Sequence, residues 1–429
     1  MRVLILYYQQ YERGIRNTVQ EHLYSFRRYS EEQCYYLNVA GGIPAYLARI
    51  PFDLVLYHYT MCACRFQPGF FDTIETRWQR LQTLSGYKAA MPQDEYVNSE
   101  GLCRLFKNFG IQTVFTCLPE SEWPKVYPLE QSGVRDFVTV FTGYIDENAI
   151  PALAAYYTDL RSIDVGYRAR KNPYSLGKHA TIKWRVAEVF AARQPQGDLR
   201  FDISTAPADV FFGEDWYRFL CSCRTILGCE GGASLHDPDG SIERAVTAFL
   251  AQQPDATFEE TEQACFPGLD GNLRLFALSP RHFEACITRT CQVLVEGEYG
   301  GIFKPGIHYI ELKKDWSNLD EVLEKIADHD YCRTIADNAY RDIVASGRYT
   351  YGRFVASVFD HLRRHSSAVA APTEDDATPR TRLLLRERYG YLFLIPSFVV
   401  AMARGPLRKV FSAVGCPDGY ERLKKLVFR

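Results

Sequence analysis

The chain alternates short apolar segments with longer amphipathic ones, and this alternation limits the possible folds more than any other feature. Apolar runs separated by amphipathic stretches are typical of parallel strands joined by crossover helices. Gly14 to Tyr29 and Phe70 to Leu84 are two such amphipathic stretches, which we expect to be helices. The candidate strands of the first half are Val3 to Tyr8, Cys34 to Val39, Leu54 to Tyr59, Lys88 to Met91, Thr113 to Cys117 and Phe137 to Phe141.

A second alternating set begins near Ile163. A chain of 429 residues exceeds what one core usually supports, so two domains are expected. We therefore predict an α/β protein with Rossmann-like domains at residues 1–150 and 160–365. The predicted elements of the second set are strands at Ile163 to Tyr167 and Phe201 to Ser204, and helices at Ile182 to Ala192, Glu214 to Cys223, Ile242 to Gln252, Leu319 to Ala327 and Tyr351 to Arg364.

The C-terminal part differs in composition from the rest. Residues 366–379 are small, polar and proline-containing, which predicts a linker. Residues 380–429 carry 11 Lys and Arg against 3 Asp and Glu, although the whole chain has a net charge of only −2. The apolar stretch Tyr389 to Ala403 is shorter than the roughly twenty residues that span a bilayer. A basic amphipathic tail that lies on an anionic membrane surface is one interpretation, and packing on the protein itself is the other.

The composition indicates the cellular location of the protein and the redox state of its cysteines. The 13 cysteines show no disulfide framework and no C-x-x-C pair, which favours reduced thiols and argues against a zinc site. Met1 leads directly into a predicted strand, leaving no room for a signal peptide. We expect a cytoplasmic protein, peripheral at the inner face of the plasma membrane if the tail binds lipid.

The stretch from Leu278 to Asn318 predicts one compact α/β unit. Ser279 and Pro280 are favourable residues for a helix start, and the helix is expected to run to about Cys291. Strands at Val293 to Val295 and His308 to Leu312 follow, separated by a glycine-containing turn. A carboxylate in the first helical turn, here Glu284, can accept sugar hydroxyls while nearby free N–H groups attract phosphate.

This unit resembles the C-terminal half of GT-B glycosyltransferases, in particular the CgeB-like and glycosyl transferase family 1 group. The similar segments are the helix that begins SPRHFE and the stretch His308 to Val322, which reads HYIELKKDWSNLDEV. The resemblance covers about residues 160 to 360. It implies two Rossmann-like domains that face a cleft, and a closing helix that crosses back onto the first domain.

The resemblance also implies roles for individual residues. Glu284 would hold the ribose hydroxyls of a nucleotide, and Arg281 beside it would contact phosphate. Arg168, Lys178 and Lys183 would neutralise a diphosphate leaving group without a metal, because charge that develops on a leaving group is strongly stabilised by fixed cations. The glycine turn near residue 231 and the His308 motif would complete the donor pocket, with Gly231, Gly232, Ser234, His308 and Lys313 as the candidate contacts. Each of these residues also has a purely structural interpretation, such as a solvated loop or an ordinary turn.

Candidate catalytic groups of the first domain follow its predicted strands. Asp94 and Glu95 come after one strand, and His58 ends another. A hydroxyl nucleophile needs a base in an inverting reaction, so Asp94 is the first candidate, ahead of Glu95 and His58. A histidine at the end of a strand is also commonly structural.

These observations favour a metal-independent, hexosyltransferase-like enzyme that needs no cofactor. We expect it to move a sugar from a nucleotide donor, a UDP-sugar, to a hydroxyl of a glycan or lipid-linked acceptor in surface polysaccharide or glycoconjugate biosynthesis. A catalytically inactive scaffold remains an alternative, because Phe276 stands where many retaining GT-B enzymes carry a second glutamate. A nicotinamide-dependent oxidoreductase is disfavoured, since no G-x-G-x-x-G turn follows the first strand. Nucleic acid is not an expected partner, because the basic residues cluster beside an apolar segment. The donor sugar, the acceptor and the stereochemical outcome stay open.

Overall fold

The computed structural model describes residues 1–10, 17–66, 76–153, 156–158, 160–193, 199–365 and 377–389. Within them the first half of the chain forms a six-stranded parallel sheet of order β2-β1-β3-β4-β5-β6. All six predicted strands are confirmed, with ends shifted by one or two residues. The strands are β1 Arg2–Tyr7, β2 Gln33–Asn38, β3 Leu54–Tyr57, β4 Tyr87–Ala90, β5 Thr113–Thr116 and β6 Asp136–Thr139.

The second half forms a five-stranded parallel sheet of order β13-β12-β9-β7-β8. A small antiparallel pair, β10 with β11, lies beside it. The strands are β7 Ile163–Arg168, β8 Phe201–Ser204, β9 Cys223–Gly228, β10 Gly231–Ala233, β11 Leu275–Ala277, β12 Cys291–Val295 and β13 Ile310–Leu312.

Helices connect the strands on both faces of each sheet. The helices of eight residues or more among the described residues are α1 Asn17–Arg28, α2 Ser99–Phe109, α3 Lys178–Ala191, α4 Glu214–Ser222, α5 Ser241–Gln252, α6 Phe258–Cys265, α7 Pro280–Ile287, α8 Leu319–Ala327, α9 His329–Ala339, α10 Tyr351–His365 and α11 Ala377–Arg388. Shorter α-helical segments span Tyr59–Cys62, Trp123–Val126, Leu129–Ser132 and Ala149–Leu153.

Two predicted helices differ from the structure. The helix expected to reach Cys291 ends at Ile287, because Arg289 adopts a left-handed φ of 49° and Cys291 already begins β12. Of the helix expected at Phe70 to Leu84, residues 67–75 lie outside the described part, and Gln79–Thr83 forms a short 3-10 helix. The spacing of apolar residues over a short stretch shows neither where a helix ends nor whether it is an α-helix or a 3-10 helix.

Helix α10 joins the two halves. It leaves the second domain and packs on the first sheet, where Phe354, Val358 and Leu362 share one buried cluster with Val3 and Ile5 of β1. Burying this apolar face holds the end of the chain against the first domain. Two Rossmann-like domains with such a closing helix form the GT-B arrangement that the resemblance implies.

Helix α11 begins at Ala377, inside the stretch that the sequence assigns to the linker. Leu383 is fully buried in the first-domain core, Glu387 pairs with Arg27 at 2.6 Å, and Arg386 donates to the carbonyl of Gly42 at 3.0 Å. Residues 377–389 are therefore docked on the first domain. The rest of the predicted linker, residues 366–376, and the rest of the predicted basic tail, residues 390–429, lie outside the described residues. No helix of the described part is long and apolar enough to cross a membrane.

Candidate functional site

Two adjoining cavities lie at the carboxyl ends of β7 and β9 in the second sheet. The order of connections reverses between these two strands, because β8 lies on one side of β7 and β9 on the other. Such a switch point is where open α/β sheets bind ligands. The smaller cavity measures about 60 Å³ and the larger about 600 Å³, which is the size of a small-molecule site.

Glu284 lines the larger cavity from helix α7. It is the fifth residue of this helix, so it lies in the second turn and not in the first turn that was expected from the sequence. Its side chain accepts a 2.8 Å hydrogen bond at Oε2 from the indole N–H of Trp216 on α4, and Oε1 has no hydrogen-bond partner among the described residues. Burial raises the pKa of Glu284 above its ordinary value, against the opposing effects of the Trp216 hydrogen bond and the Arg281 charge. The arrangement fixes the carboxyl group and leaves one oxygen for a ligand hydroxyl.

Cations surround this carboxyl group. Arg281 and Lys183 line both cavities, as does Arg168. Arg281 lies 4.9 Å from the centroid of the Trp216 ring and donates to the carbonyl of Arg168 at 2.5 Å. The Arg168 guanidinium is buried, donates to Asp202 at 2.7 Å and also bonds three backbone carbonyls, so much of its donor capacity is already used. Arg281 and Lys183 are therefore the better candidates for contact with an anionic ligand.

The first domain contributes to the same cavity through helix α1. Asn17 and Thr18 at its start line the larger cavity. Glu21 follows one turn after Asn17 on the same face of the helix. Burial, with smaller effects of the Glu284 and Asp146 charges, raises the pKa of Glu21 to about 7. The cavity therefore lies between the domains, as the predicted cleft requires.

Beside the cations, one wall of the smaller cavity is formed by neutral polar groups. His282 contacts Gln292 through Nδ1 at 2.9 Å and the carbonyl of Cys229 through Nε2 at 3.3 Å. Burial lowers the pKa of His282 to about 4, so the imidazole is neutral near pH 7. Gly231 lines the same cavity with its backbone.

Several predicted donor-site residues lie outside these cavities and have structural contacts. Ser234 donates to Asp270 at 2.7 Å and accepts from the backbone N–H of His179 at 3.1 Å, so its hydroxyl helps to cap helix α3. The Lys178 ammonium pairs with the exposed Glu259 at 3.1 Å. Gly232 has a φ of 98°, and a Cβ there would lie 1.9 Å from the carbonyl oxygen of Leu275. This glycine is required by the close pairing of β10 with β11.

The two candidates from the His308 motif are also placed elsewhere. His308 is buried, accepts from the backbone N–H of Lys304 at 3.2 Å, and contacts Asp342 at 3.1 Å through Nε2. Lys313 is exposed at the end of β13, where its backbone N–H donates to Asn318. Neither residue lines the two cavities, so the motif shapes the strand end and not the ligand site.

Two of the three predicted catalytic residues of the first domain are inaccessible. His58 is fully buried and contacts His22 at 3.0 Å and Thr60 at 3.0 Å. Glu95 is fully buried and accepts hydrogen bonds from Thr116, from Tyr127 at 2.8 Å and from the N–H of Cys117 at 3.2 Å. A group with no exposed surface cannot contact an acceptor, so we assign both residues structural roles.

Asp94 remains a candidate base. It is exposed, and its φ of 55° is unusual for a residue other than glycine. The buried guanidinium of Arg65 holds this backbone by donating to the carbonyls of Gln93, Asp94 and Val97 at 2.8, 2.6 and 3.2 Å. A strained conformation maintained by its surroundings is common at functional sites. The loop also reaches the second domain, where the carbonyl of Asp237 accepts from Asn98 at 2.9 Å.

The sequence did not point to Trp216 or Glu21, because nothing local distinguishes them from other helical residues.

A third cavity, of about 200 Å³, also lies between the domains and is lined by Phe276 and Glu230. The Phe276 ring stacks on His179 with centroids 3.9 Å apart, and Glu230 accepts from the N–H groups of Glu298 and Tyr299 at 3.2 and 2.7 Å. An acidic residue therefore lines the cavity beside Phe276, although the expected glutamate position is aromatic.

Comparisons with known proteins give only distant likenesses. No family model matches the chain, and no curated protein matches it. Among solved structures, an α-glucosyltransferase in complex with UDP and a 13-mer DNA is 10% identical, covering 85% of this chain and 99% of that chain with a TM-score of 0.48. Sucrose-phosphate synthase from Thermosynechococcus elongatus is 11% identical, covering 86% and 100% with a TM-score of 0.44. Anabaena HepE in complex with UDP is 12% identical, covering 85% and 100% with a TM-score of 0.42. At such identities and TM-scores these likenesses assign no ligand or activity to the chain.

Proposed function

We propose that this protein is a glycosyltransferase that binds a UDP-sugar donor in the interdomain cavity and transfers the sugar to a hydroxyl of a glycan or lipid-linked acceptor. The observation that carries the proposal is the Glu284 carboxyl group, held at Oε2 by Trp216 in a cavity of about 600 Å³ that Arg281 and Lys183 also line. In this proposal Glu284 accepts ribose hydroxyls through its second oxygen. Arg281 and Lys183 stabilise the negative charge of the diphosphate as the sugar leaves.

The acceptor would approach from the first domain. Asp94 is the proposed base for an inverting reaction, in which it takes the proton of the attacking hydroxyl. The hydroxyl oxygen bonds to the anomeric carbon as the bond from that carbon to the diphosphate breaks. The clamp of Arg65 on the Asp94 backbone would keep the carboxylate aligned without a rearrangement during the reaction. The proposal includes no metal and no cofactor, since the cations of the chain would neutralise the leaving group.

Isothermal titration with UDP tests the donor site. Wild type should bind, and Glu284→Ala should lose binding by tenfold or more. Glu284→Gln keeps an oxygen for the Trp216 N–H but removes the charge, and it should fall between the two. Trp216→Phe keeps an aromatic ring and removes only the N–H donor, so it should weaken binding by a smaller factor. Glu324→Ala, which removes an exposed carboxylate of α8 that lines neither cavity, is the matched control. Undiminished binding by a folded Glu284→Ala protein would defeat the assignment.

A catalytically inactive binding protein is the second candidate function, favoured by the aromatic residue at Phe276. It shares the donor site with the first proposal and differs only in turnover. A screen for hydrolysis of sugar nucleotides separates the two, because a transferase releases UDP slowly to water even without its acceptor. UDP binding without turnover of any donor, with or without candidate glycan and lipid-linked acceptors, would favour the binding protein.

We also propose that the basic C-terminal region places the enzyme at an anionic membrane surface, where a lipid-linked acceptor would be available. Support comes from the 11 basic residues between positions 380 and 429, seven of which follow residue 389. Truncation after residue 389 keeps the docked Leu383 in place. Wild type should sediment with vesicles that contain phosphatidylserine and not with neutral vesicles, and the truncated protein should stay in the supernatant with both. Equal sedimentation of the two proteins would contradict the proposal.

A further inference from the structure

Three potential metal ligands meet on the side of the first domain away from the cleft. His361 and His365 are four residues apart on α10, so they lie on the same face of that helix. Asp136 is the first residue of β6, whereas the cleft lies at the carboxyl ends of the strands. One ligand atom from each of the three residues lies within 4.8 Å of the others. The cluster combines two imidazoles and a carboxylate from two different elements of the fold.

The existing contacts already orient these groups. The Nε2 atom of His361 lies 2.7 Å from Oδ2 of Asp136. The Nδ1 atom of His365 contacts the carbonyl of His361 at 2.9 Å, which leaves Nε2 of that ring as its ligand atom. The two imidazole rings lie with centroids 4.4 Å apart. Because His365 is exposed, its ring can rotate toward the other two ligands without disturbing the core.

A supporting layer holds the carboxylate. The Thr113 hydroxyl donates to Oδ2 of Asp136 at 2.5 Å, and the Tyr87 hydroxyl contacts Thr113 at 2.7 Å. Hydrogen bonds from outside the ligand set commonly fix metal ligands in this way.

We propose that His361, His365 and Asp136 form a binding site for a divalent transition metal of the zinc type. Two nitrogen ligands and one carboxylate are a set that zinc accepts, with about 2.0–2.2 Å to each ligand atom and a water in the fourth position. The ion would replace the hydrogen bond between His361 and Asp136, with the neutral His361 imidazole binding through Nε2 and carrying its proton on Nδ1. Binding would connect α10, which arrives from the second domain, to the last strand of the first sheet. The site is independent of the proposed donor cavity.

Titration of the full chain with zinc tests this site. Wild type should bind one equivalent of zinc, and the affinity should fall as the pH falls because the ion competes with protons. His365→Ala changes only an exposed side chain, and it should reduce the affinity tenfold or more, as should Asp136→Asn. His329→Ala removes another exposed histidine, on α9, and should bind like wild type. A zinc-induced rise in melting temperature should appear in wild type and be absent in His365→Ala.

The absorption spectrum of the cobalt-loaded protein identifies the type of ligand atom. The cobalt-loaded protein should show visible d–d bands without thiolate-to-cobalt charge-transfer absorption, since the proposed ligands contain no sulfur. Charge-transfer absorption would place the ion on cysteines and overturn the proposal. So would the absence of zinc binding by wild type, or equal affinity of wild type and a folded His365→Ala protein.

Discussion

The two domains contain the same topological feature and fill it differently. In the first sheet the order of strands reverses between β1 and β3, and in the second it reverses between β7 and β9. The first switch point is filled by side chains: His58 contacts the buried His22, and the Tyr59 ring lies 4.1 Å from the His58 ring. The second remains open, and charged side chains line it. Topology therefore offers two potential ligand sites, and among the residues that the structure describes side chains fill the first and leave the second open.

The closing helix is one reason for the difference. Tyr351 at the start of α10 is buried, and its ring lies 6.0 Å from that of His22. The chain thus brings an aromatic residue from its C-terminal part into the first switch point. Packing of this kind converts a potential binding crevice into core, where removal of a ring leaves a cavity.

The largest effect that separates the two regions should come from His58→Ala. Loss of the ring and its hydrogen bond to His22 should lower the free energy of unfolding by about 2–4 kcal/mol, because a cavity and an unpaired buried group remain. UDP affinity should stay within twofold of wild type. Urea unfolding and titration calorimetry measure the two quantities. Loss of UDP binding by a protein that is still folded would show that the first switch point belongs to the ligand site.

The second effect is a dependence of the unfolding free energy on pH. Burial lowers the pKa of His22 to about 3 and that of His58 well below its ordinary value, so both are neutral in the folded protein near pH 5.5. In the unfolded chain they take up protons below about pH 6.5, so the stability that the neutral forms provide is lost as pH falls through that value. Between about pH 7.5 and 5.5 wild type should lose about 3 kcal/mol more unfolding free energy than a His22→Leu/His58→Leu variant, about 1.4 kcal/mol for each histidine.

Comparing wild type with this double variant removes the contribution of the buried carboxyl groups. The effect of those groups on stability has the opposite pH dependence. Burial raises the pKa of Glu95 to about 7, so the stability of that group is present at low pH and is lost as pH rises through 7. It contributes equally to both proteins. The same pH dependence in wild type and in the double variant would contradict neutral histidines at the first switch point.

The smallest of the three effects is expected at the second switch point, where Arg281 lines the cavity. Arg281→Ala should weaken UDP binding about tenfold, which corresponds to about 1.4 kcal/mol, because a phosphate loses one cation. The free energy of unfolding should change little. Arg333→Ala, which removes an exposed arginine that pairs with Asp330, is the matched control. If both variants bind UDP equally well, Arg281 does not contact the phosphate.

The sequence predicted the parallel strands well and the donor-site residues unevenly. Strands were recognisable because buried parallel strands are continuous apolar runs, as in Val3 to Leu6. Glu284 and Arg281 line the cavity from helix α7, whose start the sequence predicted from Ser279 and Pro280. Lys178 and Lys183 were equivalent in the sequence, yet only Lys183 lines the cavity, while Lys178 pairs with Glu259 at 3.1 Å.

The sequence by itself determined the α/β class, the two alternating sets of elements and the amphipathic face of the closing helix. These features depend on residues close together in the chain. Only the tertiary structure decided that Trp216 holds Glu284 at 2.8 Å, that His58 and Glu95 are core residues, and that His361 meets Asp136 at 2.7 Å. These contacts join residues 68 and 225 positions apart in the two measured pairs, and no local pattern encodes such distances. Burial and hydrogen bonding between distant segments therefore assigned the roles that composition and spacing left open.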